Sequence, residues 1–318
     1  MSQAGLSFPT TEASAQSLSR RAGTAVGRFW SRYPAASVAL VVLAIVLVST
    51  LFANFVAPFD PYERQGVRFA EPFSPSKDGR IHILGTDRIT RDLFSRLLHG
   101  GKVSLVVGLV APTLGITVGA LFGITGAYFG GITDLIIQRL TDTLMAIPSI
   151  ILAMAIIIPF ELEGELNLIF FDIDLAVFLV IIALSIAISP YASRLLRSHA
   201  LVLRNMQYVE AARAIGSSNL RIILRHLVPN SWAPWIVMLA VNVGNAIVIE
   251  ASLSYLGVGI SPPTPSWGNL LTGAANYFAD NPHLVYAPGL MITIVVLCSN
   301  IFGDALRDML DPRLRGAD

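Results

Sequence analysis

Six long apolar runs, at 35–57, 103–129, 141–160, 175–189, 233–257 and 286–301, constrain this chain more than any other feature. A helix of about 20 apolar residues crosses a hydrocarbon core of about 30 Å. The runs therefore predict an all-α polytopic membrane protein with six transmembrane helices. Composition agrees, with 54% hydrophobic residues, 14% charged residues and a mean hydropathy of +0.65, where soluble domains carry about a quarter charged residues. Stretches free of membrane signal reach about 45 residues, too short for most independent cores. A net charge of +1 gives no support to a nucleic-acid partner. The single Cys298 excludes an intrachain disulfide, and with five scattered His it excludes a Cys-rich metal site; no metal site is expected.

The runs divide the chain into a Ser-, Ala- and Gly-rich arm (1–34), a first span (35–57), an external segment (58–102), a five-helix core (103–303) with a long loop at 190–232, and a tail (304–318). The first run exceeds a signal-peptide core of about 7 to 15 residues and is read as uncleaved. Basic residues orient membrane proteins through their cytoplasmic excess. With the N-terminus inside, Arg20, Arg21, Arg28, Arg32, Arg139, Arg194, Arg197, Arg204, Arg213, Arg221, Arg225, Arg307, Arg313 and Arg315 lie inside, 14 of 22. The other eight fall in 58–102, which also carries Asp60, Glu63, Glu71, Asp78, Asp87 and Asp92. Both termini and the 190–232 loop are thus expected in the cytoplasm.

Several residues stand out against this frame. Ala111, Gly115, Gly119, Gly123 and Ala127 place small side chains on one helical face, suited to close packing within the subunit or to a subunit interface. Glu250 is a charge inside the fifth run, either paired with an Arg of 85–102 or lining a translocation path. Asp134, Arg139 and Asp142 read as solvated or salt-bridged boundary residues. The stretch 80–102 reads as a surface helix leading into the second span, capped by Thr86 or Asp87. His82 and His99 lack a third metal ligand. Pro262, Pro263 and Pro265 before Trp267 predict a rigid external loop, with Trp267 at the membrane interface and the loop either docking an external protein or packing on its own helices.

Between Pro190 and Pro229 lie six Arg, two His and one acid. Strong helix formers at 208–215 build one short helix, which Gly216 ends. Ser217 or Ser218 can cap a second helix through 219–227, with Pro229 beyond. The product is a basic, partly apolar helix–turn–helix. Charge and periodicity leave a lipid-surface hairpin and a protein-docking element equally open.

Glu210-Ala211-Ala212, Gly216 six residues after Glu210, and Leu227-Val228-Pro229 resemble the EAA loop of permease subunits in ATP-binding-cassette importers. The likeness continues in Leu84-Gly85-Thr86-Asp87, Arg91 to Arg96, Leu253 to Gly257, Pro262 to Gly268, Gly303 to Asp308 and Leu310 to Arg313, and is similar to the C-type branch of the dipeptide, oligopeptide and nickel importers. Thr90 stands where that family usually shows glycine. The resemblance implies a type I ABC importer permease fold in the plasma (cell inner) membrane and an importer of di- or oligopeptides, with nickel or another small solute as the alternative cargo. It implies a heterodimer with a second homologous permease subunit, two ATP-binding subunits and an external substrate-binding protein. Glu210, Ala211, Ala212, Gly216 and Pro229 would couple to the ATPase, Glu250 would be the translocation-path candidate, and Pro263, Pro265 and Trp267 would be the docking candidates for the binding protein. No catalytic residue is expected. The chain lacks a Gly-x-x-x-x-Gly-Lys-Ser/Thr loop, so ATP and Mg belong to partner subunits. An ion-coupled secondary transporter is a reading of another class, which leaves the 190–229 hairpin unexplained and lacks an evident inverted repeat.

Overall fold

A computed structural model describes residues 30–160, 164–168 and 171–310 of the chain. The arm through residue 29, Glu161, Glu163 and the stretch from Asp311 onward lie outside the described residues. In chain order the helices are α1 (Pro34–Leu51), α2 (Ala53–Val56), α3 (Leu93–Phe129), α4 (Gly131–Met145), α5 (Ser149–Ile157), α6 (Leu175–Leu203), α7 (Gln207–Ala214), α8 (Asn219–Ile222), α9 (Val228–Asn230), α10 (Trp232–Tyr255), α11 (Trp267–Leu271) and α12 (His283–Leu310). Two small antiparallel hairpins interrupt them, β1 (Ser74–Pro75) with β2 (Ile81–His82) and β3 (Glu165–Leu168) with β4 (Phe171–Asp174). Helices α1, α3, α6, α10 and α12 are each long and apolar enough to cross a membrane.

The third expected span is not one straight helix. Helices α4 and α5 meet at a 92° bend. Pro148 stands at the bend, and proline both lacks an N–H and pushes the residue before it out of the helical region. Polar residues of α4 face α6: Asp134 accepts two hydrogen bonds from Arg197, each 2.6 Å, and Asp142 accepts one from Arg194. The boundary charges expected at Asp134 and Asp142 are thus ion pairs between two helices.

Helix α6 corrects a boundary in the opposite sense. Pro190, expected to open the loop, lies inside a helix that continues to Leu203. Proline leaves the carbonyl four residues earlier without its helical donor, and in lipid that group needs another. The Ser189 hydroxyl supplies it, donating to the Ile186 carbonyl at 3.1 Å.

The small-residue stripe is spent inside the subunit. Gly115 and Gly119 of α3 lie against the α6 backbone so closely that a Cβ on Gly115 would stand 2.6 Å from the Ser185 carbonyl oxygen, and one on Gly119 2.8 Å from Ala192 Cβ. The two helices run parallel, since Ser185 bonds the Ala111 carbonyl and Arg204 the Ala127 carbonyl. Helix α10 runs against α3, with Gly108 beside Ile247 and Thr117 bonded to Trp235, and α12 runs against α10. One end of the bundle therefore gathers the carboxyl ends of α3, α6 and α12 with the 204–231 segment. The other gathers the 57–92 segment and the 256–282 loop.

At this second end the expected surface helix is absent before Leu93. Residues 81–92 instead form β2 and a turn, and Asp92 rather than Thr86 or Asp87 caps α3, accepting from Ser95 N at 2.8 Å. Thr86 is spent bonding Ala70 N and the Val67 carbonyl, and Asp87 accepts from the backbone N–H groups of Ile89 and Arg91 at 2.9 Å. Thr90 holds φ +72°, a left-handed conformation that a β-branched residue adopts only under strain.

Candidate functional site

The 204–231 segment folds as a helical hairpin seated on the ends of α3 and α6. Helix α7 presents Val209 and Ala212 inward, both buried, into a cluster with Ala127, Tyr128, Leu203, Ile222 and Leu227. The next residues close the helix with a paired-carbonyl cap. Gly216 N donates to the Arg213 carbonyl at 2.9 Å and Ser217 N to the Ala212 carbonyl at 3.0 Å. This cap needs a left-handed residue, and Gly216 supplies φ +79°. The Ser218 side chain then accepts from Arg221 N and starts α8. The second arm widens into a π turn at Ile223–Leu227 before α9, where Pro229 has no N–H to continue the α-helical ladder.

The hairpin is braced rather than loosely attached. Tyr128 Oη donates to Asn219 Oδ1 at 2.7 Å, and the Arg213 guanidinium lies 5.2 Å from the Tyr128 ring centroid. Its outer surface is basic and apolar together, with Ile215 82%, Leu220 65% and Leu224 54% exposed beside Arg213, Arg221 and Arg225. An exposed cluster of large apolar groups rimmed by charge marks an interaction surface.

The residues singled out for this element fall as follows. Gly216 forms the turn, Ala212 is the seating contact, and Glu210, Ala211 and Pro229 are exposed. The Glu210 side chain makes no hydrogen bond or ion pair among the described residues, while its backbone N–H donates to the Met206 carbonyl. The Tyr128–Asn219 brace was missed because its two members stand in separate apolar and polar stretches, 91 residues apart.

Glu250 takes a different partner from the arginine expected of it. Its carboxylate is fully buried and accepts from the hydroxyls of Ser104 on α3 and Ser254 on α10, each at 2.9 Å. Arg91 pairs with Asp87 instead, and the Arg96 guanidinium lies 3.8 Å from it. Each serine in turn accepts a backbone N–H, Ser104 from Trp267 at 3.1 Å and Ser254 from Ile260 at 3.0 Å. One buried carboxylate thus ties the 260–267 loop to two helices through two hydroxyl relays.

That loop also departs from expectation. Trp267 is fully buried, its indole N–H donating to the Leu97 carbonyl at 3.0 Å, so it sits within the fold and not at a membrane interface. Pro265 is buried, while Pro262 and Pro263 stay exposed. Neither histidine is free as a ligand: His82 Nδ1 pairs with Asp92 at 2.8 Å, and His99 bonds the Ser95 carbonyl and Asn54. Among the described residues no group of three or more metal-ligating side chains converges.

Residues 115–316 match the family described as binding-protein-dependent transport system inner membrane component. A putative peptide transport system permease protein of Brucella abortus is 39% identical over 285 residues, covering 89% of this chain and 90% of that one. The glutathione transport system permease protein GsiD of Escherichia coli O6:K15:H31 is 35% identical over 289 residues, covering 91% and 89%. Among solved structures, a chain of the inward-facing MetNI methionine ABC transporter superposes with a TM-score of 0.51 at 17% identity, covering 68% of this chain and 96% of that one, a likeness of fold. The family match takes in Gly115, Gly119 and Gly123 of the seam between α3 and α6, the braced hairpin and Glu250, and the chain belongs to the binding-protein-dependent inner-membrane transport family as the permease subunit of an ABC importer.

Proposed function

We propose that this subunit forms half of a translocation path for di- or oligopeptides and that its 207–230 hairpin is the element through which a separate ATPase drives it. The observation that carries the reading is the hairpin itself: a rigid, braced lever whose exposed edge combines Ile215, Leu220 and Leu224 with three arginines. A surface of that kind suits a protein groove. Closure of two ATPases, each holding one such hairpin, would move paired levers and repack the membrane helices between two discrete arrangements. A second, related permease completes the path. The relatives named for peptide and glutathione transport support the cargo class.

Orientation follows from the basic residues: the hairpin end faces the cytoplasm, the 256–282 loop faces outward, and an external binding protein delivers the cargo there. With Pro265 and Trp267 buried, the exposed Ser261–Pro263 rim is what that loop offers a docking partner. ATP and Mg are held by the ATPase subunits.

Affinity purification of the chain from its native membrane tests the partners. Two ATP-binding subunits and one second permease should co-purify per copy of the chain, and reconstituted vesicles should take up peptide only with ATP inside, on the hairpin side. Uptake by the purified chain alone, driven by an ion gradient, would contradict the proposal.

A further inference from the structure

At the end of the bundle opposite the hairpin lies a cavity of about 50 Å³, walled by the 87–96 turn, the 269–274 stretch and the first residues of α12. About 10 to 15 Å³ of such space holds one water, so the cavity has room for a few waters or one carboxylate-sized group and not for a whole peptide. Its charged lining is one-sided: Arg88, Arg91 and Arg96 against the single carboxylate of Asp87.

That carboxylate is fully engaged. Asp87 Oδ1 accepts from the backbone N–H groups of Ile89 and Arg91, and Oδ2 accepts from Arg91 Nε at 2.8 Å. Arg96 is 1% exposed and donates through Nη1 to the Pro61 carbonyl at 3.1 Å, while its Nε has no partner and stands 3.8 Å from Asp87 Oδ2. The nearby Asp92 carboxylate is already taken by His82 and Ser95 N. A buried guanidinium without a full set of acceptors is costly, and guanidinium groups bind carboxylates through paired N–H donors. Arg88 is exposed at the rim.

We propose that this cavity is a carboxylate-binding site, in which Arg88, Arg91 and Arg96 receive one carboxylate presented from outside the membrane. Asn269, another lining residue, has a buried Oδ1 without a partner among the described residues. Two sources present such a group: an acidic side chain of the delivering binding protein, or the terminal carboxylate of a peptide cargo. The outward face of this end and the naming of these sources rest on the proposed function; the site itself does not.

The test uses the assembled complex in lipid nanodiscs with [1-13C]acetate as probe, at constant ionic strength. Acetate resonances should broaden, formate should compete, and the bulky sulfonate MES should not. Arg88→Gln, which removes an exposed rim residue, should cut the broadening at least fivefold. No broadening in the wild type, or broadening unchanged in Arg88→Gln, overturns the site whatever the cargo. In a second arm, a tenfold weaker affinity of Arg88→Gln for the binding protein, loaded or empty, identifies a side-chain carboxylate. Selective loss of uptake of free-acid peptides against their C-terminal amides identifies the cargo. If acetate binds but neither arm responds, the assigned use of the site is wrong.

Discussion

Replacing Glu250 separates a structural carboxylate from a transport one. Its two oxygens accept from Ser104 and Ser254, and both hydroxyls are themselves acceptors for the N–H groups of Trp267 and Ile260. Glu250→Ala therefore strands two buried hydroxyl donors. Each stranded group costs about 1 to 3 kcal/mol, so the substitution should destabilise the chain by about 2 to 6 kcal/mol before any cavity cost. Glu250→Gln keeps the volume and one acceptor oxygen, and leaves one hydroxyl facing an amide donor, for a loss of about 1 to 3 kcal/mol. Unfolding by SDS titration in mixed micelles measures both, and hydrogen exchange at the Ile260 and Trp267 amides should accelerate in parallel, since their acceptors lose orientation. If Glu250→Ala unfolds within about 0.5 kcal/mol of the wild type, the normal range of a neutral surface change, while transport is lost, the relay account is refuted and the carboxylate acts on the translocation path.

Three further outcomes follow from geometry elsewhere. Gly119→Val forces a side chain into the α6 backbone, where even a Cβ would lie 2.8 Å from Ala192 Cβ and 2.9 Å from Ser193 N, and overpacking of this kind costs about 1 to 3 kcal/mol; Gly289→Ala, inside α12 with nothing within 4 Å, is the control and should be no less stable than the wild type, since alanine favours a helix interior over glycine. Thr90→Gly relieves a residue held at φ +72° and should raise stability by about 1 kcal/mol, read as a higher unfolding midpoint; a lower midpoint would show that the Thr90 side chain contributes more than its strain. Ile215→Asp and Leu220→Asp place charge on the exposed hairpin edge without touching its core, so they should reduce co-purification of the ATPase at least tenfold while the permease folds normally.

The spans were legible because a hydrocarbon core demands about 20 apolar residues whatever surrounds them, and the hairpin was legible because its determinants are local. Helix formers, Gly216 at φ +79° and the Ser218 cap lie within a dozen residues of one another. Pro190 misled for the reason that makes proline informative elsewhere: its missing N–H normally ends a helix, but the adjacent Ser189 hydroxyl satisfies the Ile186 carbonyl and the helix goes on. Trp267 was misplaced because an indole near a membrane boundary is equally suited to an interface and to a buried site with a carbonyl for its N–H, and only the Leu97 carbonyl decides between them. The partner of Glu250 was beyond reach, since Ser104 lies 146 residues away and one serine in an apolar run carries no mark of its neighbour.

The most direct test of the central claim is ATP hydrolysis and peptide uptake measured together in vesicles containing the whole complex with Glu210→Ala or Gly216→Val in this chain. Nothing lies within 4 Å of a Cβ on Gly216, so valine there acts through the backbone alone, opposing the left-handed turn by about 1 kcal/mol or more and misdirecting the second arm. Glu210 is exposed within the subunit, so its removal leaves the fold intact and deletes only a contact made with a partner. The account predicts that both variants insert normally, that the binding protein still retains its ligand, and that hydrolysis no longer responds to the loaded binding protein while uptake falls to background. Normal coupling of hydrolysis to uptake in both variants would contradict it and return the hairpin to the lipid surface.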